Sequence, residues 1–174
     1  MASVALREQL NQLLTSMFTE GLLDQQFQQL QMLQDSGSPG FVAEVITLFC
    51  EDSERILTEL TKVLEQTIVD YQKLDAYVHQ LKGSSSSVGA QNVKFACVQF
   101  RQFCEENNKE GMEVLLSLLI CLRASTNDDS NDFLTRCIQA LNVVKHEYYH
   151  LRNKFEKMLQ LEQRIQAYDS KQQN

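Results

Sequence analysis

Residues 93–104 read Val-Lys-Phe-Ala-Cys-Val-Gln-Phe-Arg-Gln-Phe-Cys. Val93, Ala96, Cys97, Phe100, Phe103 and Cys104 recur at alternating spacings of three and four, the stripe of a helix packed into a bundle. The same period continues in both directions, and the two-residue alternation of half-buried strands is nearly absent. Towards the C-terminus, Ile138, Leu141, Val144, Tyr148, Leu151, Phe155, Met158 and Ile165 predict a long final helix with a mixed-charge outer face. Towards the N-terminus, Leu74, Tyr77, Val78 and Leu81 form one stripe, with Asp70 placed to cap it. Val42, Val45, Ile46, Phe49, Ser53, Ile56, Leu57, Leu60 and Leu64 form another. Before them, Leu6, Leu10, Leu13, Leu14 and Met17, then Leu23, Phe27, Leu30 and Leu33, predict two shorter helices separated at Gly21. The fold expected is all-α, an antiparallel four-helix bundle with short N-terminal helices.

The expected organisation is a single domain over 1–174, with N-terminal helices in 1–36 and bundle helices in 39–107 and 137–168. Ser38 is the candidate N-cap of the 39–64 helix, with Pro39 at its first position. Gly83 to Gly89 reads as a serine-rich transition between helices, and Asn107 to Gly111 as a helix end. Residues 112–136, an apolar block followed by a polar one, read as an insertion between the last two helices.

The chain has 174 residues, 43% hydrophobic and 22% charged, with one proline and no tryptophan, which argues against disorder. A formal charge of −7 repels phosphate backbones, so neither nucleic acid nor an anionic membrane is an expected partner. Cys50, Cys97, Cys104, Cys121 and Cys137 sit in apolar stretches without paired spacing, as small hydrophobes in a reducing compartment do. Arg7 and Glu8 interrupt any signal-peptide core. The longest apolar run, Val114 to Leu122, is broken by Ser117 and falls short of the roughly 18 residues of a membrane span.

Three histidines limit where imidazole chemistry can occur. With Leu74 at 0° on the helical wheel, His79 lies at about 140°, Lys82 at about 80° and Gly83 at about 180°, away from the apolar stripe. Gly83 costs roughly 1 kcal/mol of helix stability relative to alanine, and it clears space one turn beyond the imidazole. Lys82 supplies a mobile cation for an approaching anion. An outward imidazole, a cation and a clearing together suit a phosphoryl acceptor. His146 and His150 instead belong to an H-E-x-x-H match, a zinc signature when it faces a cleft. Counted from Leu141, they lie at about 140° and 180°, opposite the core, so a polar helix face is expected and no metal site.

The run His79-Gln80-Leu81-Lys82-Gly83-Ser84-Ser85-Ser86-Ser87-Val88-Gly89-Ala90 resembles the signature of the histidine-containing phosphotransfer proteins, in the plant form associated with cytokinin-type two-component signalling. The resemblance extends through Phe41–Val45, Phe49–Arg55, Phe100–Cys104 and His146–Gln166, and resumes at Cys137 as though Gly111 could connect to it directly. It implies a phosphocarrier rather than a free-standing enzyme, with His79 as phosphoacceptor and Lys82 and Gly83 as flanking motif residues. Arg101, on the next helix, is a candidate source of positive charge at the docking face. Implied partners are receiver domains of hybrid histidine kinases and of response regulators. The Mg²⁺ would come from the receiver, leaving no cofactor of the chain's own. A monomer in cytoplasm and nucleus is implied as well. The alternative is a helical adaptor or inhibitor that binds receivers without carrying phosphate. Family members of that kind lack the acceptor histidine, which this chain has.

Overall fold

The computed structural model describes residues 2–35, 40–118 and 129–172, with side chains over 4–34, 40–105 and 133–171. Six helices follow one another: α1 (Ala2–Thr19), α2 (Gln25–Asp35), α3 (Phe41–Leu64), α4 (Tyr71–Val88), α5 (Gln91–Leu118) and α6 (Asp129–Gln172). Helices α3 to α6 close the bundle, α4 packing between α3 and α5, and α6 against both of those helices. Phe49, Ile56, Leu60, Leu74, Leu81, Phe100, Tyr148 and Phe155 fill the centre.

Helix α6 has 44 residues, about 66 Å at 1.5 Å per residue, and its C-terminal half carries α1 antiparallel alongside. Arg7 meets Asp169 at 2.7 Å at one end of that pair, and Lys154 meets Glu20 at 2.9 Å at the other. At 18 residues α1 is longer than the short N-terminal helix expected. Helix α2 lies against α3 and α4. Tyr148 ties α6 to α3 by donating its hydroxyl to the carbonyl of Cys50 (3.0 Å), and Arg152 pairs with Glu54 beside it.

Several boundaries and faces differ from the sequence expectation. Helix α3 begins at Phe41 with Gly40 as its N-cap, whereas Ser38 and Pro39 lie outside the described residues. Gly83 does not open a transition, because α4 continues through the four serines to Val88. Likewise α5 runs through Asn107–Gly111 to Leu118, since a single glycine costs about 1 kcal/mol and does not stop a helix when helix formers such as Met112, Glu113 and Leu115 follow. Helix α6 starts at Asp129, and Phe133 is buried against Tyr71, with ring centroids 4.9 Å apart. The two ends of the 112–136 segment are therefore helical, and its C-terminal end joins the core.

Phe103 and Ile138 are exposed because their neighbours Cys104 and Cys137 hold the inward positions, and one residue along a helix turns a side chain by about 100°. Phe103 instead lines a groove of about 280 Å³ between α5 and α6, beside Ala96, Ala140 and Val143. Leu33 is exposed for the same reason of phase, its neighbour Gln34 turning to accept the backbone N–H of Val42 (3.0 Å). Cys97, Cys104 and Cys137 are buried and Cys50 is half-buried, as core use requires; Cys121 lies outside the described residues. Burial pushes the Cys97 thiol up to about 12, so it stays protonated.

Candidate functional site

Helix α4 is fixed at both ends. Asp70 caps its start, accepting the backbone N–H of Lys73 at 3.0 Å. Its end is a Schellman motif: Ala90 donates its backbone N–H to the carbonyl of Ser85 at 2.8 Å, and Gly89 takes the left-handed conformation with φ 75°. Glycine is required there twice over, because a Cβ would lie 2.6 Å from the backbone nitrogen of Phe27. The same turn is stitched to the α1–α2 connection, where Asp24 donates its N–H to the carbonyl of Gly89 (2.9 Å) and Gln91 to that of Leu22 (3.1 Å).

Leu74, Val78, Leu81, Ser85 and Val88 form the buried face of α4, leaving His79 exposed on the outside of the bundle as the helical wheel predicts. Arg101 of α5 reaches across to it, with one terminal guanidinium nitrogen 3.0 Å from His79 Nδ1. The guanidinium is held in place by Asp75, one turn before His79 on α4. Arg101 Nε donates to Oδ1 at 2.8 Å and the second terminal nitrogen to Oδ2 at 3.3 Å. Glu105 lies 3.6 Å away on the same helix. The hydrogen bonds to Asp75 raise the Arg101 pKa further, so the side chain remains a cation.

Lys82 is half-buried on the same side of α4, near Cys97 of α5, where its charge opposes the upward shift of that thiol. Gly83 is exposed, and a Cβ built on it meets nothing within 4 Å. Nothing in the described chain requires glycine at that position, so the helix bears its cost without an internal reason. Beyond it Ser86 and Ser87 return their hydroxyls to the carbonyls of Lys82 (2.9 Å) and Gly83 (3.1 Å).

His79, Lys82, Gly83 and Arg101 thus share one surface across α4 and α5. Asp75 and Glu105 belong to it too and were not singled out from sequence; the usable signal was a carboxylate at i−4 from His79 on the outer face, facing a basic neighbour. His146 and His150 are exposed on α6, away from this surface, with His150 Nε2 3.4 Å from Glu20. Among the described residues, no group of three or more His, Cys, Asp or Glu side chains is arranged to hold a metal.

A helical bundle presenting an imidazole on an outer helix face, with a lysine and an arginine beside it, suits a protein that carries a group between partners. Residues 44–167 match the Hpt domain family. Histidine-containing phosphotransfer protein 2 of rice is 56% identical over 174 residues, covering 99% of this chain and all of that protein. Histidine-containing phosphotransfer protein 1 of Arabidopsis thaliana is 47% identical, covering 87% of this chain and 82% of its own. The crystal structure of a maize histidine-containing phosphotransfer protein superposes with a TM-score of 0.73 at 58% identity, over 92% of this chain and 99% of that one. The chain belongs to the histidine-containing phosphotransfer family of plants, whose members act as phosphocarriers in two-component signalling.

Proposed function

We propose that His79 is the phosphoacceptor of this chain, taking the group from a phospho-aspartate on a hybrid-kinase receiver domain and passing it to the aspartate of a response-regulator receiver. The observation that carries this reading is the pose of the imidazole. Arg101 contacts Nδ1 of an exposed ring, so Nε2 is the nitrogen left for the phosphoryl group, and Gly83 one turn on leaves open space. The nitrogen of a neutral imidazole that carries no proton is itself nucleophilic and needs no general base, so attack from Nε2 uses the tautomer with the proton on Nδ1. Lys82, one turn on along α4, supplies a mobile point charge for the arriving phosphoryl oxygens, while Arg101 is engaged with Nδ1 and Asp75. The Mg²⁺ and the carboxylates that stabilise the transferring group belong to the receiver in this reading, and the bundle supplies position and the charge of Lys82.

The partners follow from that division of labour; exchange between cytoplasm and nucleus in a cytokinin-type relay rests on the family resemblance alone. No helix among the described residues is long and apolar enough to cross a membrane. The chain acts as one domain, its α5–α6 connection lengthened by an insertion within 112–136. Incubation with a phosphorylated receiver and Mg²⁺, following acid-labile phosphate on the wild type and on His79→Gln, tests the reading. Transfer to the wild type alone is expected. Receiver binding without transfer would make the chain an adaptor, and transfer surviving in His79→Gln would move the acceptor elsewhere.

A further inference from the structure

A guanidinium has donors and no acceptor, so the 3.0 Å contact with Arg101 makes Nδ1 of His79 the acceptor and leaves the ring proton on Nε2. In that form the outward nitrogen has no lone pair with which to attack phosphorus. Attack requires the other tautomer, with the proton on Nδ1, and that proton would point straight at an N–H of Arg101. The guanidinium must therefore withdraw when a phosphoryl group arrives.

With His79 as the acceptor, the steps balance as follows. The Nε2 lone pair forms the N–P bond as the P–O bond to the receiver aspartate breaks, and the carboxylate keeps that electron pair. The ring is then cationic, with its proton on Nδ1. Loss of the proton to water leaves a neutral phosphorylated ring whose Nδ1 lone pair again accepts from Arg101. Loss of the phosphoryl runs in reverse and needs Nδ1 protonated, because the ring then departs as neutral imidazole and not as an imidazolate.

We propose that Asp75 and Arg101 form a latch on Nδ1 that keeps the phosphorylated ring unprotonated and so retards loss of the group to water. Arg101 is the positioning residue for His79, and Asp75 for Arg101. The carboxylate grips two guanidinium nitrogens, at 2.8 and 3.3 Å, and this aims the third at the imidazole. Glu105, 3.6 Å from the guanidinium, offers the seat to which it moves when the latch opens. The inference rests on His79 as acceptor, yet it concerns the lifetime of the carried group, which can be measured without any receiver.

The full chain is phosphorylated with phosphoramidate, a small-molecule donor, and freed of reagent. Loss of phosphate from His79 is then followed by ³¹P NMR at neutral pH, with folding checked by circular dichroism. Arg101→Met keeps the stem and removes every donor; it is expected to lose phosphate about three- to tenfold faster, the weight of one ordinary hydrogen bond. Asp75→Asn, near-isosteric, is expected to fall between Arg101→Met and the wild type. Arg101→Lys restores the charge and one donor and should recover part of the lifetime. In the unphosphorylated protein, long-range ¹H–¹⁵N spectra should place the His79 proton on Nε2 in the wild type and on both nitrogens in Arg101→Met, a change that a purely structural role would not produce. Equal lifetimes in folded wild type and Arg101→Met would overturn the latch while leaving the acceptor intact. Failure of the wild type to take phosphate on His79 would overturn both.

Discussion

Replacing Gly83 by alanine separates what the fold wants from what the site wants. The backbone at Gly83 is ordinary helix, since among the described residues positive φ values occur only at Gly21, Gly40 and Gly89, and an added Cβ meets nothing within 4 Å. Alanine should therefore recover the helix penalty of about 0.5–1 kcal/mol without a steric charge against it. For a chain of this length that is a rise in Tm of roughly 1–4 °C. Gly89→Ala is the internal contrast: left-handed backbone and a Cβ 2.6 Å from the Phe27 nitrogen should cost about 1–3 kcal/mol or more. Gly83→Gln keeps a good helix former but projects a side chain into the space beside His79. Differential scanning fluorimetry and receiver-to-protein phosphotransfer on the same samples read both quantities. The expected outcome is a Tm at or above wild type for Gly83→Ala and Gly83→Gln, with transfer to Gly83→Gln reduced at least about tenfold, 1.4 kcal/mol of lost approach. A lowered Tm in Gly83→Ala would mean that the chain itself needs the space. Transfer to Gly83→Gln at the wild-type rate would mean that the partner does not use it.

Ser53 and Ser85 are fully buried with hydroxyls that bond nothing among the described residues, so Ser53→Ala and Ser85→Ala should be neutral or stabilising by up to about 1 kcal/mol in urea unfolding; a clear loss of stability would reveal a hidden partner. Glu162 on α6 has its carboxyl pKa raised above the ordinary 4.5 by burial alone. A raised folded-state value makes the native state the better proton binder, so the carboxyl's effect on stability worsens as pH climbs from the ordinary value through the folded one. Glu162→Gln should accordingly raise the urea midpoint at pH 7 and leave it nearly unchanged at pH 4, and equal midpoints at pH 7 would refute the sign. Phe133→Ala should cost about 3 kcal/mol, read by thermal melting, because Phe133 is buried and stacks edge-on against Tyr71; a change below about 1 kcal/mol would place the 129–136 turn of α6 outside the cooperative core.

What was legible in the sequence was whatever depends on period. Stripes such as Val93–Ala96–Cys97–Phe100 and Leu141–Val144–Tyr148–Leu151 gave the helices and their buried faces, because a phase of 3.6 residues admits little ambiguity over several turns. The outward direction of His79 followed from the same arithmetic. Helix ends were less legible. Gly83 and Gly111 look like breakers, yet each lies inside a helix, because tertiary packing and flanking helix formers outweigh about 1 kcal/mol of local penalty. Single phase slips were invisible as well: the stripe took in Phe103 together with the truly buried Cys104, and Ile138 in place of Cys137, because both exposed residues are more apolar than the cysteines beside them. Arg101 could be suspected from sequence, but its grip on Nδ1 could not, since the bond to Asp75 spans 26 residues and depends on how α4 and α5 are set against each other.

That setting bears on how a carrier differs from an enzyme. Asp70 and the Gly89 turn fix both ends of α4, and α3 and α5 flank it, so the position of His79 is decided before any partner arrives. Pre-positioning lowers the barrier for a donor and an acceptor receiver alike, since it removes the same orientational freedom from both encounters. A deep site with strong oxyanion donors would do otherwise, binding the phosphoryl tightly in one direction and resisting its departure in the other. His79 stands instead on an exposed face, and its nearest strong contact, Arg101, touches Nδ1, the ring nitrogen that the proposed reaction leaves free of the group. In the proposed latch, control of the phosphoryl is exerted through the protonation of the ring, where a single guanidinium holds the group against water and a docking partner that draws the guanidinium aside releases it.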